Sequence, residues 1–196
     1  ESGKAEYKIG REEKLPPLER ASADFPPANP EGKASKERYQ KDGKYTAERQ
    51  ELHDAIVSKA IAGHEESADP TMYMLGGGTA SGKSQSLASG VFGIPKDVVH
   101  IDSDGMKAQL PDYKEMVAAG NKDAAAYSHK ESSDISVQVI KAAATKKFDA
   151  IVDTTGDNGL EYLESKVSEM RQAWHKVIAH YVTVDTDTAV ARATAR

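Results

Sequence analysis

"MYMLGGGTASGKSQSLASG", residues 72–90, decides the fold. A short apolar run suited to a buried strand meets three consecutive glycines, and a helix is expected from about Lys83. Gly77, Gly82, Lys83 and Ser84 satisfy the spacing G-x-x-x-x-G-K-[ST] in full. The spacing has a physical basis. Glycines let the backbone take positive φ and turn successive N–H groups onto phosphate oxygens. The helix that follows adds its own free N–H groups and the positive end of its dipole. Gly77, Gly78, Thr79, Ala80 and Ser81, together with Gly82, Lys83, Ser84 and Gln85, are therefore expected to bind the phosphates of ATP. Lys83 would reach the β- and γ-phosphates and Ser84 would ligate Mg²⁺. The competing dinucleotide fingerprint, G-x-G-x-x-G, is not met from either Gly76 or Gly77.

On the N-terminal side, residues 1–44 carry two Pro-Pro pairs, many charges and no sustained periodicity, and read as an extended or partly disordered arm. Residues 45–196 then form the domain, which is expected to be truncated because "AVARATAR" stops in mid-helix. In 45–63, Leu52, Ala55, Ile56, Lys59 and Ala60 follow helical spacing, and Gly63 stops the helix. Beyond the glycine loop, strands are expected at 98–102, 149–154 and 177–185. Helices are expected at 112–119, 123–147 and 160–174, with a last one from Asp187. Strands alternating with helices predict an α/β fold of three layers, α/β/α, with a mainly parallel central sheet. Such sheets bind ligands at the carboxyl ends of their strands, so residues just past each strand carry the chemistry.

Acidic residues stand at two of those places. "VVHIDSDGMK" ends a strand with Asp102 and Asp104; either could cap a helix, bind metal or accept a hydroxyl proton. Asp104 lies further beyond the strand and is the candidate to reach a substrate. "DAIVDTTGDNG" leads apolar residues into Asp153, the arrangement of a metal-holding acid, followed by the polar turn Thr154, Thr155 and Gly156. Asp157 and Asn158 suit the cap of the next helix. Glu131 is a candidate substrate contact between the two acidic loops, whereas nearby His129 reads as an ordinary histidine. Arg192 and Arg196 share one helix face and suit a lid that neutralises charge on a transferred phosphoryl group.

Composition narrows the setting. The 196 residues are 38% hydrophobic and 29% charged, as in a soluble globular protein. No apolar run approaches the roughly 20 residues of a membrane span, so no membrane partner is expected. A net charge of −5 argues against a general nucleic-acid binder. With no cysteine there is no disulfide, thiolate metal site or thiol nucleophile, which fits a reducing, cytoplasmic setting.

The runs "LGGGTASGKS", "IDSDGMK…LPDY" and "IVDTTG", with the arginine-bearing tail, resemble the zeta-toxin family of P-loop kinases from about Leu52 to Arg196. The resemblance implies ATP- and Mg²⁺-dependent phosphorylation of a sugar hydroxyl, typically on UDP-N-acetylglucosamine, and a neutralising antitoxin as partner. By the same resemblance, Lys83 and Ser84 are the phosphate and Mg²⁺ residues, and Asp104 takes the proton from the attacking hydroxyl. Lys107, Thr155 and Gly156 fall on the substrate side, Asp153 near metal and substrate, and Arg196, a better match than Arg192, on the lid. Asp153 stands where the family usually has a glutamate and Asp157 where an arginine is common, so the chain departs from its relatives on the acceptor side. Two other readings stay open at this point: a P-loop kinase for a nucleoside, dinucleotide or antibiotic hydroxyl, and an ATP-binding interaction module with little turnover.

Overall fold

In the computed structural model, residues 34–78, 80–153, 160–174 and 176–195 are described, without the side chains of 160–163 and 166. Thr79, Thr155, Gly156 and Arg196, all expected at the site, lie outside the described residues. Four parallel strands form the central sheet: β3 Thr71–Gly76, β4 Val99–Ile101, β5 Ala150–Asp153 and β6 Lys176–Tyr181. Their order is β4-β5-β3-β6, so β3 lies inside the sheet between β5 and β6. Its residues are nearly all buried, as a strand covered on both faces requires.

Helices α2 Ala47–Ala60, α6 Ala124–Thr145 and α7 Leu160–Arg171 cover one face. Ile56, Ile135, Val139 and Met170 from these helices pack with Met72, Met74, Val99 and Ala150 of the strands in one cluster. Trp174, 1% exposed, closes that core and donates its indole N–H to the Phe148 carbonyl at 3.0 Å. Strand alternation sends Tyr73 to the other face, where it stacks on His180. Phe92, which follows α3 Lys83–Ala88, tilts over the same His180 ring. The three-layer α/β/α architecture is as expected.

The expected elements are present with shifted ends: 98–102 shortens to β4, and 177–185 becomes β6, ending at Tyr181. Three findings differ from the sequence reading. Residues 34–44, assigned above to the arm, are folded: α1 Ser35–Tyr39 leads into a hairpin of β1 Gln40–Lys41 and β2 Lys44–Tyr45. Asp42 and Gly43 between those strands both take positive φ, 51° and 76°, as a two-residue hairpin turn needs. The unit is tied down: Ser35 is fully buried with its hydroxyl on the Tyr127 carbonyl, and Lys36 and Tyr45 both meet Asp134 of α6 at 2.7 Å. Second, the buried face of α2 is Arg49, His53 and Ile56, while Ala55 and Lys59 are exposed. Third, a short helix, α4 Ser103–Lys107, intervenes before α5 Pro111–Ala118.

Candidate functional site

Sheet register brings the site together. Leu75 of β3 pairs with Asp153 of β5, and Ile101 of β4 pairs with Val152, so the strands end level. Asp102, Asp153 and the first glycines of the loop therefore emerge side by side at one edge of the sheet. A cavity of about 640 Å³ lies there, lined by Ser81, Lys83, Ser84, Asp104, Asp153 and Arg192 among others. That volume is in the range of small-molecule sites.

The loop has the build of an anion cradle. Gly77 takes φ 144°, and a Cβ there would come within 2.5 Å of the Val182 carbonyl oxygen and 2.9 Å of Ser81 Oγ. Only glycine fits that position. Gly82, at φ 98°, turns the chain into α3, whose first N–H groups are free of side-chain caps. Ser81 is 6% exposed and its hydroxyl has no hydrogen-bond partner among the described residues. A buried polar atom left unpaired is costly, and phosphate oxygens are a fitting partner for it. Lys83 Nζ donates to the Gly77 carbonyl at 2.5 Å and lies 3.8 Å from Asp153 Oδ1. These residues fit a nucleotide's phosphates.

Burial pushes the Asp153 carboxyl above its ordinary range, and the Lys83 ammonium pulls it back toward ionisation. Ser84, exposed at the start of α3, lines the same cavity as Asp153. Among the described residues no group of three or more His, Asp or Glu is set to hold a metal alone. A Mg²⁺ held by one hydroxyl and one carboxylate would complete its shell with water and phosphate oxygens, its usual habit.

Asp102 caps α4: its carboxylate accepts from the Asp104 N–H at 2.9 Å and the Gly105 N–H at 3.1 Å. The cap leaves Asp104 in the first helical turn with its side chain 85% exposed to the cavity, and Lys107 Nζ donates to Asp104 Oδ1 at 2.8 Å. Arg192 stands on α8 Thr186–Thr194, which Asp185 caps, and its Nη1 reaches the Ala80 carbonyl at 3.5 Å. Helix α8 therefore lies against the phosphate loop.

Glu131 belongs elsewhere. Its side chain is fully enclosed, and its carboxylate accepts from Arg49 Nε at 2.6 Å and Nη2 at 3.0 Å, with His53 Nε2 at 2.7 Å. Burial would raise this carboxyl, but hydrogen bonds from His53 and Arg49 outweigh it and hold the group at about 2. The expected substrate contact is replaced by a structural ion pair, because both oxygens are already occupied. Lys107, also expected at the substrate, turns its ammonium to Asp104 instead. Arg49 and His53 were missed by the sequence reading, although their four-residue spacing on α2 is a readable signal. His129 is exposed on α6, in keeping with its ordinary reading.

Comparison with known proteins agrees with this geometry. The sequence model of the family described as "Zeta toxin" matches residues 54–196. The chain is 29% identical over 101 residues to Toxin zeta of Enterococcus hirae, covering 51% of this chain and 35% of that protein. It is 33% identical over 88 residues to Toxin zeta of Streptococcus agalactiae, covering 44% and 30%. It thus spans about a third of the length of these curated relatives. Among solved structures, one from the PezAT toxin–antitoxin system of Streptococcus pneumoniae superposes with a TM-score of 0.65 at 16% identity, covering 77% of this chain and 63% of that one. The AvrRxo1-ORF1:-ORF2 complex with ATP superposes with a TM-score of 0.61 at 17% identity, covering 84% and 59%. These likenesses share the fold. No helix among the described residues is long and apolar enough to cross a membrane. The chain belongs to the zeta toxin family and has its kinase-like P-loop fold.

Proposed function

We propose that this protein transfers the γ-phosphoryl group of ATP to a hydroxyl of a nucleotide sugar such as UDP-N-acetylglucosamine, and that an antitoxin restrains it in the cytoplasm. One observation carries the reading: an exposed carboxylate, Asp104, shares a cavity with the phosphate loop, a lysine, a second carboxylate and an arginine. The family supports phosphotransfer, and the two structural relatives were studied with an antitoxin or a second protein and, in one case, with ATP.

The chain's residues divide the work. Backbone N–H groups from Gly77 to Lys83, joined by the Ser81 hydroxyl, cradle the phosphates. Lys83 leaves the Gly77 carbonyl to neutralise charge on the β- and γ-phosphates. Ser84 and Asp153 would hold Mg²⁺, which when bound supplies charge neutralisation between the phosphates. Asp104 accepts the proton of the acceptor hydroxyl as its oxygen bonds to the γ-phosphorus and the bond to the ADP oxygen breaks. Arg192, which lines the cavity, stabilises the charge that spreads over the transferred group's oxygens, and Arg196 is proposed to assist it. Thr155 and Gly156 are proposed to contact the acceptor.

The test is to incubate the protein with ATP, Mg²⁺ and UDP-sugars and identify the phosphorylated product by mass spectrometry. Asp104→Ala is expected to lower the rate about 10²–10⁴-fold. An unchanged rate in that variant removes Asp104 from its role. A product formed only with some other hydroxyl compound corrects the acceptor and leaves the donor side standing.

A further inference from the structure

Asp104 and Lys107 make an unequal pair. The Asp104 side chain is 85% exposed, whereas that of Lys107 is 8% exposed, yet Nζ and Oδ1 meet at 2.8 Å. A surface aspartate ordinarily samples several rotamers, and a surface ion pair is worth little. This one is different in kind. Its cation belongs to a buried side chain on α4, a helix that meets α6 through Ser103 Oγ and Ser136 Oγ, 3.1 Å apart. A desolvated ammonium needs its anion, and here the anion is the exposed carboxylate at the edge of the cavity. The Asp102 cap fixes the backbone of the same turn. Lys107 thus secures Oδ1, while Oδ2 makes no hydrogen bond among the described residues.

We propose that Lys107 is a positioning residue: its buried ammonium pins one oxygen of Asp104, so that the other is presented to the acceptor hydroxyl as proton acceptor. The proposal rests on the kinase reading above and gives Lys107 a task that substrate binding does not require. It works through Asp104 alone. Removing Lys107 therefore costs nothing further once Asp104 can no longer take a proton.

The experiment is a double-mutant cycle with γ-labelled ATP and the small-molecule fraction of a cell extract as acceptor pool. Initial rates are compared for the wild type, Lys107→Met, Lys107→Arg, Asp104→Asn and the Asp104→Asn/Lys107→Met pair. Thermal melting accompanies each, and crystal structures are determined for the wild type and Lys107→Met. Lys107→Met is expected to lower kcat about 10–100-fold, the usual cost of losing an orienting partner, with KM for ATP unchanged. Lys107→Arg recovers most of the rate. The double variant transfers label at the rate of Asp104→Asn, and the crystal of Lys107→Met shows Asp104 in more than one rotamer. An equal further loss in the Asp104→Asn background overturns the proposal, because the lysine would then act on the fold. So does a raised KM with kcat intact, which makes Lys107 a substrate ligand. A single unmoved Asp104 rotamer in Lys107→Met overturns the tether even if every variant loses activity. Absence of transfer by the wild type overturns the kinase reading itself, whatever the rotamers show.

Discussion

Replacing Arg49 by methionine removes the cation that meets Glu131, while keeping much of the stem that packs in the core. The structure sets the scale of the damage. Arg49 donates twice to Glu131, at 2.6 and 3.0 Å, reaches Asp112 at 3.4 Å, and lies 4.0 Å above the Tyr39 ring. Glu131 would be left fully enclosed with only neutral or titratable partners, His53 and Ser35, among the described residues. Breaking a buried pair by removing one member costs about 3–5 kcal/mol. With a urea slope of about 2 kcal/mol per molar, the unfolding midpoint at neutral pH falls by about 1.5–2.5 M. Acid should narrow that gap. In the wild type the Glu131 carboxyl sits at about 2 against an ordinary 4.5, so its contribution of about 3 kcal/mol is full above pH 4.5 and is lost as pH falls toward 2. In Arg49→Met, burial acts with less opposition and raises the carboxyl, so protonation relieves a penalty. Urea titrations followed by circular dichroism, from neutral pH to about pH 3, measure both curves. A difference below about 1 kcal/mol, or one that stays constant with pH, refutes the pairing as a determinant of stability. Arg49→Met combined with Glu131→Met should recover most of the loss, since neither charge is then stranded.

Lys83→Ala is expected to lower phosphoryl transfer about 10²–10³-fold, the usual cost of losing one charge-stabilising donor, in a rate assay with saturating ATP; near-wild-type turnover would remove the loop lysine from the chemistry. Gly77→Ala puts a Cβ 2.5 Å from the Val182 carbonyl at φ 144°, so it should destabilise by about 1–3 kcal/mol and abolish ATP binding by calorimetry. Tight binding by that variant would show that the loop tolerates a side chain there. Asp102→Ala removes the α4 cap and should cost about 1 kcal/mol in urea unfolding while lowering kcat more than it raises KM for ATP. An effect confined to KM for ATP would move Asp102 from bracing α4 to contacting the nucleotide.

The donor half of the site was legible because it is contiguous. Strand, glycine turn and helix start follow one another in 71–84, and each is written in local backbone preference. Asp153 was equally readable, since an apolar strand must end at a polar residue and parallel register then sets it beside the loop. The ionic core was not. Arg49 and Glu131 are 82 residues apart, and each alone reads as a solvated charge; only the partner makes burial tolerable. For the same reason the stripe read on α2 was right at Leu52, Ile56 and Ala60, which meet the core, and wrong at the exposed Ala55 and Lys59, while Arg49 and His53 are buried in their stead. The hairpin before α2 carried a signal that the surrounding charges hid: Asp42-Gly43 is a strong two-residue turn, but its strands of two residues show no alternation. Helix α4 escaped for want of length, since five residues complete hardly more than one turn.

The ionic pairs, the hairpin and α4 are linked through α6, and the link bears on how the site is built. The carboxylate assigned to the acceptor hydroxyl stands on α4, which is held by its own cap, by Lys107 and by the Ser103–Ser136 contact to α6. Helix α6 is held in turn by Asp134, bound to Lys36 and Tyr45, and by Glu131, bound to Arg49 and His53. All four of those partners precede residue 54, where the match to the family begins. The phosphate loop, by contrast, hangs from β3 at the middle of the sheet. Both loops rise from the shared sheet, since α4 follows β4 directly, but Asp104 is braced in addition by a chain of contacts ending in a segment outside the family match. Under the proposed function, substitutions at Lys36, Tyr45, Arg49 or His53 are expected to lower kcat more than they raise KM for ATP, and the reverse pattern in steady-state kinetics would refute this bracing.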